Sequence, residues 1–195
     1  MMRILPLLLL LAACGPIVQV GGNTPPPDAL LTLRATATGS APAGPVTLAN
    51  ALQVEVPMVP GTLQTTRVAV TVADTRVQYL PKANWAEQPN RQFARLLGDT
   101  LSANGVVVLD ARAGGPRAGR VLGGELAEFG LDMRRGTPTV RVRYDAVLVG
   151  GGRTATRRFE ASAPAAGDSG NAVAIALNQA ANALAADVAA WVKGG

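Results

Sequence analysis

The residue best placed for chemistry is Cys14, the only cysteine in the chain. A lone thiol cannot close a disulfide within the chain or build a cysteine-rich metal site, so modification of its own sulfur is the chemistry open to it. Carboxylates come next. Asp110, Glu125, Glu128 and Asp132 lie close in sequence, and two of them at the right separation would resemble the acid pair of a glycosidase. No aromatic-lined cleft accompanies them, so the sequence does not favour that reading. There are no histidines, which removes the commonest general base, the usual Ser-His-Asp arrangement and the commonest zinc and haem ligand. Gly123-Gly124 and Gly150-Gly151-Gly152 are not followed by Lys-Ser/Thr ahead of a helix, so they read as a bulge and a turn rather than a phosphate loop. The expectation is a chain without catalysis, metal or cofactor.

Cys14 stands at the end of a leader. Arg3 supplies a short positive start, Ile4 to Leu11 an apolar run, and Ala12-Ala13 the small residues of a cleavage site. Leu11-Ala12-Ala13-Cys14 resembles the lipobox of bacterial lipoproteins. That resemblance implies removal of residues 1–13, a diacylglycerol on the Cys14 sulfur and an acyl group on its freed amine. Two or more acyl chains, at about 0.8 kcal/mol per buried CH2, are enough for a stable anchor. Gly15 stands where the inner-membrane retention signal of enteric bacteria has Asp, so the expected destination is the outer membrane, facing the periplasm; anchoring in the inner membrane is the alternative.

From residue 14 to about 28 the chain carries Gly21-Gly22 and Pro25-Pro26-Pro27, a partly extended tether. Residues 29–195 are long enough for one domain with a real core. The aromatic share is 4%, so that core must be built largely from Val, Leu and Ala. No uninterrupted apolar run approaches the roughly 20 residues of a spanning helix. The formal charge of +5 reads as an arginine-rich solvated surface, with no basic stripe interleaved with aromatics to suggest nucleic acid.

The elements that would carry any site follow from periodicity. Val68, Val70 and Val72 alternate with small or polar residues, and residues 75–80 extend that strand past a bend at Asp74. Residues 121–133 suit a bent strand with a bulge at Gly123-Gly124. Thr139 to Val149 is the clearest strand, with Val140, Val142, Tyr144, Ala146 and Leu148 on one face and Arg141, Arg143 and Asp145 on the other. The glycines at 150–152 turn it into residues 153–162 as an antiparallel hairpin. Shorter apolar runs at 29–34, 52–56 and 106–109 complete the strands.

Two helices are expected. The first spans 87–104 with Phe93, Leu97 and Leu101 in one stripe, stopped by Asn104-Gly105. The second spans 169–192 with Val173, Leu177, Ala180, Leu184, Val188 and Trp191 on one face, capped by Asp168 or Ser169. The fold class is α+β: an antiparallel or mixed sheet with two helices on one face.

Within this frame, Val70-Thr71-Val72, Val77-Gln78-Tyr79-Leu80-Pro81, Trp85-Ala86-Glu87-Gln88-Pro89 and the helix through Phe93 and Leu101 resemble the ABC-type transport auxiliary lipoprotein family, which includes the lipoprotein of the paraquat-inducible system. The segment Pro57-Met58-Val59-Pro60 ahead of Arg67 departs from the family pattern. The resemblance implies a component without catalysis of its own. Its implied partners are an MCE-domain protein and an ABC permease and ATPase, which move phospholipids or other hydrophobic molecules between membranes. An alternative is a lipoprotein chaperone for an outer-membrane protein or glycolipid. Trp85 and Glu87 are the candidate partner-binding residues. Their structural alternative is a Trp85 that fastens the loop to the helix and a Glu87 in the first helical turn. Trp191 reads as a core anchor, and Arg134-Arg135 and Arg157-Arg158 as solvated arginines that headgroups or an acidic partner could meet.

Overall fold

Two long antiparallel strands, Arg120–Asp132 and Thr139–Gly150, form the centre of the molecule. The computed structural model describes residues 29–39, 47–109 and 117–194. Its strands are β1 Leu30–Leu31, β2 Leu52–Val54, β3 Arg67–Ala73, β4 Arg76–Trp85, β5 Val108–Leu109, β6 Arg120–Asp132, β7 Thr139–Gly150 and β8 Arg153–Pro164. Its helices are α1 Pro89–Ala103 and α2 Gly170–Gly194, with a short 3-10 turn at Gly61–Leu63.

The sheet is mixed. β6 pairs antiparallel with β7 along one edge, and β7 pairs antiparallel with β8. The other edge of β6 is shared by three parallel partners in turn: β2, with Leu52 opposite Arg120, then Met58 opposite Glu125, then β3, with Val70 opposite Leu131. β5 lies outside β2, while β4 and then β1 lie outside β3. β3 and β4 close through Asp74-Thr75 with Ala73 opposite Arg76. The expected bend at Asp74 is therefore a reversal of direction. A bend and a two-residue turn look alike in sequence until the second strand finds its partner.

Alternation sorts the faces of β7. Val140, Val142, Tyr144, Ala146 and Leu148 are buried, and from β6 Leu122, Leu126, Phe129 and Leu131 join them. α2 lies over this face, with Val173, Leu177, Leu184 and Val188 fully buried. α1 packs beside α2 and sets Phe93 edge-on to Tyr144, ring centroids 5.3 Å apart. Each fully buried Leu or Val contributes about 1.5–3 kcal/mol, so this one-sided apolar layer is the main source of stability. Tyr144 also donates from its hydroxyl to the Gly123 carbonyl at 2.5 Å, and burial pushes its phenol well above the ordinary range.

By length and composition α2 is apolar enough to cross a membrane, yet half of its most apolar window is buried inside the domain. Alanine explains both properties: it favours helix and lets the helix lie close to the sheet. Ser169 caps α2, accepting the Ala172 N–H at 3.3 Å.

Several boundaries differ from expectation. α1 begins at Pro89 with Gln88 as its cap, so Glu87 precedes the first turn. The residue before a proline is held extended, and proline itself suits the first helical position. The C-terminal stop is where the sequence puts it: Gly105 has φ +82°, Val106 N–H bonds Leu101 O and Gly105 N–H bonds Ser102 O, the two bonds of a Schellman motif. The bulge in β6 is not at Gly123-Gly124, which pair regularly with Val147 and Ala146; the irregularity falls between Leu126 and Glu128. Gly124 has a different role. At φ +130° a Cβ there would meet the Asp145 carbonyl, so glycine permits the close approach of β6 to β7.

Candidate functional site

Trp85 ends β4 and is 2% exposed. Its ring packs against Phe129, centroids 5.6 Å apart, and its main-chain N–H donates to Thr66 O at 2.7 Å. It supports the surface above it and offers a partner almost none of its own. Glu87 is exposed and paired with Arg95 at 2.7 Å. Of the two candidate contact residues, only Glu87 is presented to solvent. Cys14 and Asp110 lie outside the described residues.

The start of α1 is instead organised by Gln92, 2% exposed. Its Nε2 donates to Glu87 O at 3.0 Å and its Oε1 accepts the Leu33 N–H at 2.8 Å. Leu33 belongs to an extended strap, residues 32–39, that follows β1 and runs along both helices. The strap alternates, with Leu31, Leu33, Ala35 and Ala37 half-buried and Thr32, Arg34, Thr36 and Thr38 exposed. Side-chain amides replace a neighbouring strand. Asn178 Oδ1 accepts the Arg34 N–H at 2.8 Å, and Asn182 accepts the Thr36 N–H at 2.7 Å while donating to Arg34 O at 2.8 Å. Sequence reasoning missed these three amides; the available signal was two asparagines spaced i, i+4 in an alanine-rich helix.

The sheet face away from the helices is charged. Arg143 and Arg141 reach Glu128 at 2.7 and 3.3 Å, Arg134 reaches Asp132 at 2.6 Å and Asp74 at 3.0 Å, and Arg158 reaches Asp145 at 2.6 Å. The hydrogen bond from Arg134 holds the Asp132 carboxyl down at about 2. The imagined acid pair therefore lacks a protonated member at Asp132, since a general acid needs a raised value. A shallow depression of about 290 Å³ beside it is lined by Glu128, Asp132, Glu160, Arg135, Arg141 and Arg143, with opposite charges in balance. A larger groove, about 490 Å³, runs between α1 (Arg91, Ala94, Gly98) and the sheet edge at Val54, Val56 and Val108. Among the described residues, no three acidic, cysteine or histidine side chains converge as a metal site.

Arg134 and Arg158 are thus ion-paired, while Arg157 lies over the Phe159 ring at 5.0 Å. Phe159 in turn meets Trp191 at 5.6 Å, which places Trp191 at the margin of the core rather than inside it.

No curated protein matches the chain. Among solved structures it is similar to a Xanthomonas campestris protein of the DUF330 family, with 19% identity and a TM-score of 0.68, over 84% of this chain and 92% of that one. A second, an uncharacterised protein, shares 20% identity and a TM-score of 0.64 over 80% and 99%. At these identities the likeness shows the fold. The model of the ABC-type transport auxiliary lipoprotein component family matches residues 31–189, from β1 into the last turns of α2. The chain belongs to the ABC-type transport auxiliary lipoprotein component family.

Proposed function

We propose that this chain is a non-catalytic subunit held at the periplasmic face of the outer membrane by lipids on Cys14. There it assists an MCE-domain protein and an ABC permease and ATPase in moving phospholipids or other hydrophobic molecules between membranes. The observation that carries this reading is the extent of the family match, which begins at Leu31, shortly beyond the Gly/Pro-rich tether, and runs through the sheet and α1 into the last turns of α2. The strap supports it further. A chain rising from the membrane enters the domain through β1 and is bonded at once to both helices, so the anchor attaches to the rigid part of the fold.

The test is crosslinked affinity purification of the tagged lipoprotein from native envelopes, read by mass spectrometry. Recovery of an MCE-domain protein above an unrelated-lipoprotein control is expected. Recovery of an outer-membrane barrel or assembly factor without any MCE protein would overturn the reading in favour of a chaperone role. A Cys14→Ala chain is expected to stay unanchored and to fail to support transport; full function of that soluble form would equally count against it.

A further inference from the structure

The outer strand β8 has an unusual edge. Its twelve residues pair with β7 without a single irregularity, from Gly150 opposite Arg153 to Thr139 opposite Pro164, and among the described residues β7 is its only partner strand. From Phe159 onward α2 covers one face, and Phe159 and Ala163 are buried. Residues 153–158 are different: every one of them is exposed, so this stretch is open on both faces and along its free edge. It contains no proline and no bulge, two of the devices by which proteins blunt such edges. Among the described residues, no side chain or loop bonds to the free edge of 153–158.

What remains is charge. Arg153, Arg157 and Arg158 stand on this stretch. Arg158 is matched by Asp145, while among the described residues neither Arg153 nor Arg157 has a carboxylate partner. Arg120, at the same level two strands away across Gly150, adds a further guanidinium, which bonds Val192 O at the end of α2. A second copy adding edge to edge would bring arginine against arginine, and like charges across a strand pair are unfavourable. An acidic strand does not meet that objection.

We propose that the free edge of β8 over residues 153–158 is a docking strand for an extended segment of a partner protein rich in Asp and Glu. That segment adds to the sheet as its next strand. Main-chain bonds along the edge supply the attachment, and Arg153 and Arg157 select the acidic sequence. The inference rests on the reading of the chain as a subunit that works through a protein partner.

The experiment places a photo-crosslinking residue at Thr156 of the full-length lipoprotein in native envelopes. The adduct is mapped by mass spectrometry, and exchange of the 153–158 amides is followed in the free protein and in the purified complex. The expected result is an adduct to an acidic extended segment of another protein, with amide exchange slowed on binding. The Arg153→Glu/Arg157→Glu double variant should lower adduct yield by about ten-fold or more, with unchanged circular dichroism. Adducts only to a second copy, only to lipid, or undiminished by the double reversal would overturn the proposal, as would unchanged exchange in the complex. The two readings fail separately. If the acidic adduct is absent, or undiminished in the double variant, while the wild type still recovers the MCE-domain protein, the docking strand is wrong and the auxiliary-subunit reading stands. If the wild type recovers no MCE-domain protein yet gives the acidic adduct, the reverse holds.

Discussion

Asn182 and Thr36 meet across 146 residues of sequence: the asparagine Oδ1 accepts the Thr36 N–H at 2.7 Å and the Thr36 hydroxyl at 3.0 Å. The same side chain donates to Arg34 O at 2.8 Å. One amide on α2 therefore satisfies donor and acceptor on an extended segment that, among the described residues, has no neighbouring strand there. Residues 32–39 follow β1 in the chain, so this contact joins the N-terminal part of the described domain to its longest helix.

Replacing Asn182 with Ala removes those bonds but leaves their partners accessible to water, so the global cost should be modest, about 1–2 kcal/mol. The local effect should be larger. Exchange of the Arg34 and Thr36 amides is expected to quicken while amides in β7 keep their protection, as native-state hydrogen exchange would read. Equal exchange at Thr36 in both proteins would show that the strap is held by Leu31, Leu33 and Ala35 instead.

Trp85 and Glu87 should separate cleanly in denaturant unfolding. Trp85→Ala deletes a buried ring packed on Phe129, a change that costs about 3–5 kcal/mol. Glu87→Ala removes a solvent-exposed pair with Arg95, worth about 1 kcal/mol or less. A Trp85→Ala protein as stable as wild type would contradict the packing described here.

Asp132 provides an acid-pH signature. Its folded value is lowered to about 2 from an ordinary 3.8, chiefly by the Arg134 hydrogen bond. The stabilisation is therefore fully present above the ordinary value and is lost as pH falls through the folded one. The stability gap between wild type and Asp132→Asn should be constant from neutral pH down to about 5 and shrink between about 4 and 2. The gap should be about 1 kcal/mol or less, because solvent screens this network. Urea midpoints across that range would measure it; a gap that widened on acidification would reverse the assignment.

Local chemistry made much of this domain legible. The two-residue period of Val140, Val142, Tyr144, Ala146 and Leu148 identifies the buried face of β7, and the stripe through Phe93, Leu97 and Leu101 identifies α1. Asn104-Gly105 marks where α1 ends, since glycine accepts the left-handed conformation without penalty. In each case the information lies within a few residues, because a side chain's burial is set by the pitch of its own element. The pair Trp85 and Glu87 was only half legible: sequence placed them at the helix entrance but could not tell a buried ring from an exposed carboxylate.

Tertiary structure decided what depends on partners far apart in the chain. That β2, Met58 and β3 share one edge of β6, that Gln92, Asn178 and Asn182 hold the strap, and that β8 ends the sheet with residues 153–158 uncovered all concern which elements become neighbours. Many registers satisfy the same hydrophobic pattern. Only closing the whole apolar layer under α1 and α2 selects one of them, and with it the edge and the charged face left open to a partner.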